Sequence, residues 1–335
     1  MRQEKYTKKK KQMKMIRFSL FIILIGVIAA LGINQIAAIF SDNWSHETSN
    51  PQATSQENRA QLSSSFSAET LFSPYAYLMD VSTQEVIFEQ EGTKRVSPAS
   101  LTKIMTAYVA IENLNDFKEY VTVPQDIFPY LYSSHASVAG FAAGESVQVI
   151  DLLYGCMLPS GADASLTLAI KIAGSEQGFV DLMNKKAQQL GLSDTHFSNV
   201  SGLYDSQHYS SARDMAILLS NALKNSQFRE IFTAPQYTTA STSHNPNGLT
   251  FKSTMFARMS SPYFEDGEIL GGKTGHISDA GLCLASLAER KGREFILVTM
   301  GAEGTPYTDP THLWDAFTLY GQLYDYVPVV DSLNS

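Results

Sequence analysis

The sequence predicts an α+β fold in which β-hairpins near both ends of the chain enclose a mainly helical middle. Runs of β-prone apolar residues at 76–80 and 85–90 flank a polar turn, and similar runs at 281–289 and 294–302 flank a basic turn. Between them, apolar residues recur with the spacing of α-helices. Terminal hairpins can share one antiparallel sheet, so we expect such a sheet with helices packed against it.

The first predicted helix covers 101–111, where apolar residues follow helical spacing. Ser97 or the residues just after it can cap this helix, and Pro98 suits its first turn. An apolar stretch at 149–173 is also expected to be helical, with a break at 159–161, where the sequence reads Pro-Ser-Gly. Three further helices are predicted at 177–190, 211–223 and 311–326.

Charge is unevenly distributed along the 335 residues. Residues 1–17 carry a net charge of +7 in a chain whose formal net charge is −8, which leaves −15 on the remainder. An acidic body argues against a nucleic-acid partner, because phosphate binding needs a basic face. The basic residues are better explained by the apolar segment 18–40 that follows them, since this order is typical of a secretory signal or a membrane anchor.

Segment 18–40 is close to the length that spans a bilayer, and its A-x-A cleavage pattern is poor. We therefore expect residues 1–40 to form a cytoplasmic basic region and an uncleaved transmembrane helix, with a cleaved signal as the alternative. The Lys and Arg bias predicts that the rest of the chain lies on the extracytoplasmic face of the cell membrane. Residues 41–70 are rich in Ser, Thr, Asn and Gln, so we expect a flexible linker before a folded domain over 71–335.

Ser100 and Lys103 stand at the start of the first predicted helix. Residues three apart share a helix face, so the Lys103 amine is expected beside the Ser100 hydroxyl. A serine hydroxyl needs a base to act as a nucleophile, and a buried lysine can lose its proton because desolvation disfavours the ammonium form. Alone, however, this pair is also compatible with an exposed helix surface.

Two later segments hold further candidate residues. Ser160 follows an apolar helix and could relay a proton between base and leaving group, or could simply cap the next helix. Lys273 and Thr274 precede the last hairpin and would offer a cation and a hydroxyl to a carboxylate. Gly275 would let a substrate approach the backbone closely, and a positive Lys273 near Lys103 would help to lower the pKa of Lys103.

Together, in this order and spacing, the three segments resemble the signature of penicillin-recognising serine enzymes. Within that group the chain most resembles the low-molecular-mass penicillin-binding proteins, the serine D-alanyl-D-alanine carboxypeptidases of the peptidase S11 type. The resemblance spans about residues 71–326. It is carried by PASLTKIMTAYVA (98–110), AGESVQVIDLLYGCMLPSGADAS (143–165), GLSDTHFSNVSGLYDSQHYSSARDMAILLS (191–220) and GGKTGHISDAGLCLAS (271–286).

The resemblance implies a β-lactamase/transpeptidase-like fold, with an antiparallel sheet of the five-stranded type flanked by helices and an all-helical subdomain. It implies that Ser100 attacks the carbonyl of the penultimate D-alanine of a peptidoglycan stem peptide, while Lys103 takes its proton. Backbone N–H groups of Ser100 and His276 would form the oxyanion hole. Ser160 would assist proton delivery to the departing D-alanine.

In the same family pattern, Lys273 and Thr274 hold the terminal carboxylate of the substrate, and Gly275 and His276 belong to the same substrate-binding segment. The family implies no metal and no organic cofactor. Its partners are stem peptides ending in D-Ala-D-Ala. β-Lactam antibiotics mimic that end and are expected to trap Ser100 as a long-lived acyl adduct.

The sequence departs from the family pattern in two respects. The second family motif is Ser-x-Asn, whose Asn hydrogen-bonds the catalytic lysine and the substrate amide, but Ala162 occupies that place here. Loss of one preorganised polar contact can cost ~10²–10³ in rate, so we expect a slower or narrower enzyme. Many relatives also add a β-rich domain and an amphipathic membrane helix at the C-terminus. This sequence ends soon after residue 326, so we expect the anchor at the N-terminus.

Two other functions stay open on sequence alone. A cell-wall-binding or penicillin-sequestering pseudoenzyme is suggested by Ala162. A class A-like β-lactamase shares the Ser-x-x-Lys and Lys-Thr-Gly segments, but it needs a carboxylate that primes the deacylating water. The expected Glu-x-x-Leu-Asn pattern is absent after the second motif. Release of D-alanine would distinguish the carboxypeptidase from the pseudoenzyme, and fast turnover of penicillin would identify the β-lactamase.

Other residues are expected to have structural roles. Cys156 and Cys283 lie in apolar surroundings and are predicted to be small buried hydrophobic residues, although one disulfide stays open. Neither has a Cys or His neighbour at metal-ligand spacing, so no zinc site is expected. The stretch 199–213 matches the family strongly without an evident catalytic role, and His208 within it is expected to be structural.

Overall fold

The computed structural model describes residues 71–325. The predicted anchor (1–40) and linker (41–70) lie outside the described residues, as does the end of the chain from 326 onward. No helix between residues 71 and 325 is long and apolar enough to cross a membrane.

Ten strands and eight α-helices lie within this described range. The strands are β1 (Tyr75–Asp80), β2 (Val86–Gln90), β3 (Tyr120–Thr122), β4 (Ser146–Gln148), β5 (Gln236–Thr238), β6 (Thr250–Lys252), β7 (Tyr263–Phe264), β8 (Gly267–Ile277), β9 (Gly281–Arg290) and β10 (Arg293–Ala302). The helices are α1 (Thr102–Asn113), α2 (Phe128–Ser133), α3 (Val149–Met157), α4 (Ala162–Ala173), α5 (Glu176–Gln189), α6 (Ala212–Ala222), α7 (Ser226–Thr233) and α8 (Thr311–Gly321).

Both predicted hairpins belong to one antiparallel sheet, which confirms the predicted fold class. The strand order is β2-β1-β10-β9-β8-β7. β1 pairs with β10 from Tyr75↔Met300 to Asp80↔Phe295, so the first and last strands of the described chain are joined directly. The sheet has six strands, because the two-residue strand β7 extends the expected five-stranded type at one edge.

The sheet has an apolar core on each face, because side chains alternate between faces along a strand. On β1, Tyr77 and Met79 belong to the larger core, which also contains α1 and the other central helices. Ala76 and Leu78 point to the other face and belong to a smaller core closed by α8. The result is a three-layer arrangement in which the sheet lies between helices.

The middle of the chain is mainly helical, and the predicted break between α3 and α4 is present. It also contains two small two-stranded sheets, β3–β4 and β5–β6, which the sequence did not predict, so the expected all-helical subdomain holds two short hairpins as well. The predicted closing helix ends at Gly321 and continues as a short 3₁₀ turn over Gln322–Asp325.

The expected capping of the first helix by Ser97 or the residues just after it is wrong. A 3₁₀ helix over Ala99–Leu101 precedes α1, and no side chain caps it; Pro98 occupies the capping position. Ala99 has φ +46°, in the left-handed region that residues other than glycine seldom adopt. This tight turn brings the chain sharply into α1 and places Ser100 at its bend.

Both cysteines are free thiols and fully buried. Their prediction as buried hydrophobic residues is confirmed, and the open possibility of a disulfide is not realised. The Cys156 sulfur accepts a hydrogen bond from the Ser165 hydroxyl at 3.2 Å.

Candidate active site

Ser100 and Lys103 lie together, as their spacing at a helix start predicts. The Lys103 Nζ donates a hydrogen bond to the Ser100 Oγ at 3.2 Å. The Lys103 side chain is 2% exposed, so its amine is almost completely removed from water. A second and shorter bond, 2.6 Å, runs from the Lys103 Nζ to the backbone carbonyl oxygen of Ser201.

Burial lowers the pKa of Lys103 from 10.5 to about 8, although the nearby Asp163 acts in the opposite direction. A lysine with this pKa has a substantial neutral fraction at neutral to mildly alkaline pH. Its free electron pair can then accept the proton of a hydroxyl within hydrogen-bond reach. The pair thus has the geometry and the proton affinity of a nucleophile and its base.

The residue before Ser100 is held by a buried polar network. The Thr102 hydroxyl donates to the carbonyl oxygen of Ala99 at 2.8 Å and lies 2.7 Å from the Nε2 of His208. The Nδ1 of His208 accepts the backbone N–H of Ser198 at 3.0 Å, so the ring proton is on Nε2 and points to Thr102. Burial lowers the pKa of His208 to about 4, which keeps it neutral. His208 therefore has the structural role expected for it.

Ser160 lies in the break between α3 and α4, and its backbone is strained. Its φ of +66° is in the left-handed region, which is unfavourable for a serine. The Ser160 Oγ accepts a hydrogen bond of 2.9 Å from the Nζ of Lys273. A strained loop residue with its hydroxyl aimed at a buried cation is typical of a functional site rather than of a simple helix cap.

Lys273 is 0% exposed and donates a second hydrogen bond, of 2.6 Å, to the backbone carbonyl of Thr274. Burial, together with the positive charge of Lys103, lowers the pKa of Lys273 well below its usual value. The charge of Lys103 therefore disfavours that of Lys273, whereas burial is the main cause of the lowered pKa of Lys103, and the expected effect of Lys273 on Lys103 stays a prediction. Neither forms an ion pair with a carboxylate among the described residues.

The carboxylate of Asp163, next to Ala162, is hydrogen-bonded to backbone N–H groups. Its carboxylate accepts the N–H groups of Ala139, Gly140 and Phe141 at 2.7–3.2 Å, and its side chain is 0% exposed. These bonds fix the segment 139–141 beside the Ser160 loop. Asp163 therefore does not replace the missing Asn side chain at position 162.

β8 presents the Lys-Thr-Gly segment at an accessible strand edge. β7 pairs with β8 only at Tyr263↔Glu268 and Phe264↔Gly267, so the outer edge of the later part of β8 has no strand partner within the described residues. A Cβ added at Gly275 would lie 3.2 Å from the backbone nitrogen of Ser100. Glycine at this position thus lets β8 approach the Ser100 backbone closely.

A cleft of about 310 Å³ brings the predicted site residues together. Five of the seven line it: Ser100, Ser160, Thr274, Gly275 and His276. The other two, Lys103 and Lys273, are buried beneath it and bonded to the two serines. No group of His, Cys, Asp or Glu side chains able to hold a metal ion occurs between residues 71 and 325.

Four polar residues of the cleft were missed by sequence reasoning: Ser137, Thr254, Arg258 and His312. The Thr254 hydroxyl lies 2.6 Å from that of Thr274 and fixes its orientation. Arg258 donates to the carbonyl oxygens of Pro306 and Thr308, which holds the loop after β10 at the cleft. None of these residues stands in a recognisable local pattern, because tertiary packing alone places them here.

Comparison with known proteins finds a matching family model and several related enzymes. The family model described as D-alanyl-D-alanine carboxypeptidase, peptidase S11, matches residues 62–304. The D-alanyl-D-alanine carboxypeptidase DacD of Escherichia coli K12 is 35% identical over 262 residues, covering 72% of this chain and 64% of DacD. DacF of Bacillus subtilis, with the same enzyme name, is 34% identical over 233 residues, covering 68% of this chain and 57% of DacF.

Solved structures show the same similarity. The crystal structure of the Streptomyces K15 DD-transpeptidase has a TM-score of 0.67 and 32% identity, covering 76% of this chain and 97% of that one. A D-alanyl-D-alanine carboxypeptidase from Mycobacterium tuberculosis has a TM-score of 0.64 and 25% identity, covering 77% and 92%. The matched region is therefore nearly the whole of these solved chains, but less than two thirds of DacD and DacF.

Proposed function

The chain belongs to the D-alanyl-D-alanine carboxypeptidase family of serine peptidases, peptidase S11, and from this premise we propose that it removes the terminal D-alanine from peptidoglycan stem peptides. The reaction passes through an acyl-enzyme on Ser100. The observation that carries the proposal is the pairing of two buried lysines with two serines at one cleft. Lys103 bonds Ser100, and Lys273 bonds Ser160.

Acylation begins when the neutral Lys103 amine takes the proton of the Ser100 hydroxyl. The Ser100 Oγ then bonds the carbonyl carbon of the penultimate D-alanine. The backbone N–H groups of Ser100 and His276 stabilise the oxyanion that forms. The close approach of β8 to Ser100 at Gly275 supports this assignment, because it brings the backbone of both segments to the same carbonyl.

The peptide C–N bond then breaks, and the nitrogen of the departing D-alanine takes a proton from Lys103 through the Ser160 hydroxyl. Thr274 and the positive charge of Lys273 hold the carboxylate of that D-alanine. Water afterwards attacks the carbonyl carbon of the ester while Lys103 accepts its proton. The bond from that carbon to the Ser100 Oγ then breaks, and Lys103 returns the proton to the Ser100 Oγ. The unpaired edge of β8 supports an extended substrate that lies along it as an added strand.

Family membership does not favour either alternative function. A pseudoenzyme is suggested only by Ala162, whereas the lysines and serines of the mechanism are all present and in contact. A β-lactamase would require rapid hydrolysis of a penicilloyl ester. β-Lactams are accordingly proposed to act on this chain as covalent inhibitors.

The proposal is tested by measuring D-alanine released from a synthetic peptide ending in D-Ala-D-Ala. We expect release by the native chain, none by Ser100→Ala, and release close to native by Ser133→Ala, which alters an exposed serine on α2. A matched peptide ending in L-Ala-L-Ala should stay intact. No release from the D-Ala-D-Ala peptide, with the native chain folded, would contradict the proposal.

We further propose that the protein acts on the extracytoplasmic face of the cell membrane, held by residues 1–40 through the linker 41–70. The basic and apolar composition of residues 1–40 supports this proposal. Cell fractionation and intact mass of the full chain test it. A membrane-bound chain of full mass is expected. A shorter soluble form would instead indicate a cleaved signal, and a full-length soluble form would contradict both.

A further inference from the structure

Lys103 donates its shortest hydrogen bond to a turn for which the sequence predicted no role. Residues 199–202, here called the Asn199 turn, lie against the buried side of α1. Lys103 donates to the Ser201 carbonyl at 2.6 Å, and the Thr106 hydroxyl donates to the Val200 carbonyl at 2.7 Å. Two side chains one helical turn apart thus bind consecutive carbonyl groups, which fixes the Asn199 turn relative to α1.

Asn199 determines the direction of the Ser201 carbonyl. The Asn199 Oδ1 accepts the backbone N–H of Gly202 at 2.7 Å and that of Ser201 at 3.2 Å, while its Nδ2 donates to the Leu203 carbonyl at 3.0 Å. The Gly202 N–H and the Ser201 C=O belong to one planar peptide group and point in opposite directions. Binding the N–H on one side therefore aims the C=O at Lys103 on the other.

The same turn contacts the residue that precedes the nucleophile. Gly202 has φ +80°, and a Cβ built on it would overlap the backbone carbonyl of Ala99. Only glycine combines this backbone conformation with so close an approach. The Asn199 turn therefore contacts both the base Lys103 and the chain entering Ser100.

We propose that Asn199 is a positioning residue for the general base. Through the Ser201 carbonyl it provides the second hydrogen-bond acceptor of Lys103, a role that the family pattern gives to the Asn of the second motif and that Ala162 cannot fill. Asn199 is 7% exposed, and both polar atoms of its side chain are hydrogen-bonded within this turn or to Leu203. The inference rests on the proposed function, since it assumes that Lys103 acts as the base.

The inference predicts a change in proton affinity as well as in rate. A carbonyl that accepts from an ammonium stabilises the charged form. If Asn199→Ala releases the Ser201 carbonyl, the pKa of Lys103 falls and acylation begins at lower pH. Asn199→Asp keeps the acceptor oxygen but adds a negative charge, so the pKa of Lys103 rises. A purely structural residue would not move the two midpoints in opposite directions.

The experiment measures the acylation rate by a fluorescent penicillin against pH for the native chain and three variants. Asn184→Ala is the matched control. The Asn184 Nδ2 and Oδ1 bind the backbone C=O and N–H of Phe197, so Asn184 holds the same segment without touching the Asn199 turn. We expect Asn199→Ala to lower the plateau rate ~10-fold or more and to shift the midpoint down by about one pH unit. Asn199→Asp should shift it upward, and Asn184→Ala should keep the native midpoint.

Equal midpoints in the native chain and both Asn199 variants would overturn the inference, as would an Asn184→Ala shift equal to that of Asn199→Ala. Failure of the native chain to acylate at any pH would instead count against the proposed function. In that case an NMR titration of the labelled Lys103 Nζ still decides the positioning role, because it gives the same midpoints without acylation. Asn199→Asp provides the test if Asn199→Ala does not fold.

Discussion

The Nζ of Lys273 donates a 2.9 Å hydrogen bond to the Oγ of Ser160, joining strand β8 to the loop between α3 and α4. Ser160 is 7% exposed and Lys273 fully buried, so water does not compete for this contact. Because Lys273 uses an acceptor position of the hydroxyl, the Ser160 proton is free to point toward the cleft. One bond thus sets both the position of the predicted proton relay and the direction in which it can donate.

Lys273→Met is expected to slow acylation of Ser100 by ~10² or more, since the substrate carboxylate loses its cation and Ser160 its donor. It should also raise the pH midpoint of acylation. Removal of a positive neighbour makes the charged form of Lys103 less unfavourable, so the pKa of Lys103 rises. Stopped-flow acylation by a chromogenic penicillin across pH measures both effects. A midpoint that falls or stays constant would mean that the two lysines are not electrostatically coupled.

Lys103→Met should abolish acylation while making the fold more stable at neutral pH. The pKa of Lys103 falls from 10.5 in the unfolded chain to about 8 in the folded one, so between these values the unfolded state binds more protons. The stability of the native chain therefore rises with pH across that window. Below it, the full cost of burying the charged Lys103 lowers the free energy of unfolding. Urea unfolding should show the variant more stable by roughly 3 kcal/mol at pH 7, with the difference shrinking toward pH 10. A constant difference would contradict the lowered pKa.

Gly202→Ala should disrupt the site far more than an equivalent change elsewhere. Both Gly202 and Gly191 have positive φ, +80° and +71°, but a Cβ at Gly191 would meet nothing within 4 Å. Gly191→Ala is therefore expected to cost about 1 kcal/mol of backbone strain without loss of acylation. Gly202→Ala adds an overlap with the Ala99 carbonyl and should cost roughly 3 kcal/mol or more, with a ~10²-fold loss of acylation. Similar results for the two variants would show that the contact with Ala99 is unimportant.

Ala162→Asn is expected to increase the rate of D-alanine release by ~10-fold or more, because it restores the polar group that the family pattern places beside the substrate amide. Ala162→Val controls for added volume at this buried position and should not increase the rate. Steady-state release from a D-Ala-D-Ala peptide provides the comparison. An unchanged or lower rate in Ala162→Asn would contradict the expectation that Ala162 slows the enzyme.

Sequence reasoning predicted the parts of the site that depend on local geometry or on a family motif. The contact of Lys103 with Ser100 follows from helix spacing alone. The contact of Lys273 with Ser160 was not predicted, since 113 positions separate the two residues; the resemblance only placed both in one site. The terminal hairpins were predictable because buried strands with a polar turn between them have a strong local pattern.

The features that were missed have no such pattern. The acceptor of Lys103 is a backbone carbonyl, and every residue has one, so the residue type of Ser201 does not reveal it. The left-handed Ala99 and the 3₁₀ entry to α1 result from packing against Gly202 and β8, which overrides the local preference for a Ser97 cap. The short strands β3 to β7 have only two or three residues each, too few for an alternating pattern.

The central claim is that Ser100 is the nucleophile of a penicillin-binding D-alanyl-D-alanine carboxypeptidase. Intact mass of the native chain after mixing with benzylpenicillin tests it most directly, alongside Ser100→Ala. The account predicts a stable adduct equal in mass to one benzylpenicillin on the native chain and none on the variant. No adduct with penicillin intact would favour the binding-only alternative, and no adduct with penicillin consumed would identify a β-lactamase. An adduct that persists in Ser100→Ala would place the nucleophile elsewhere and contradict the account.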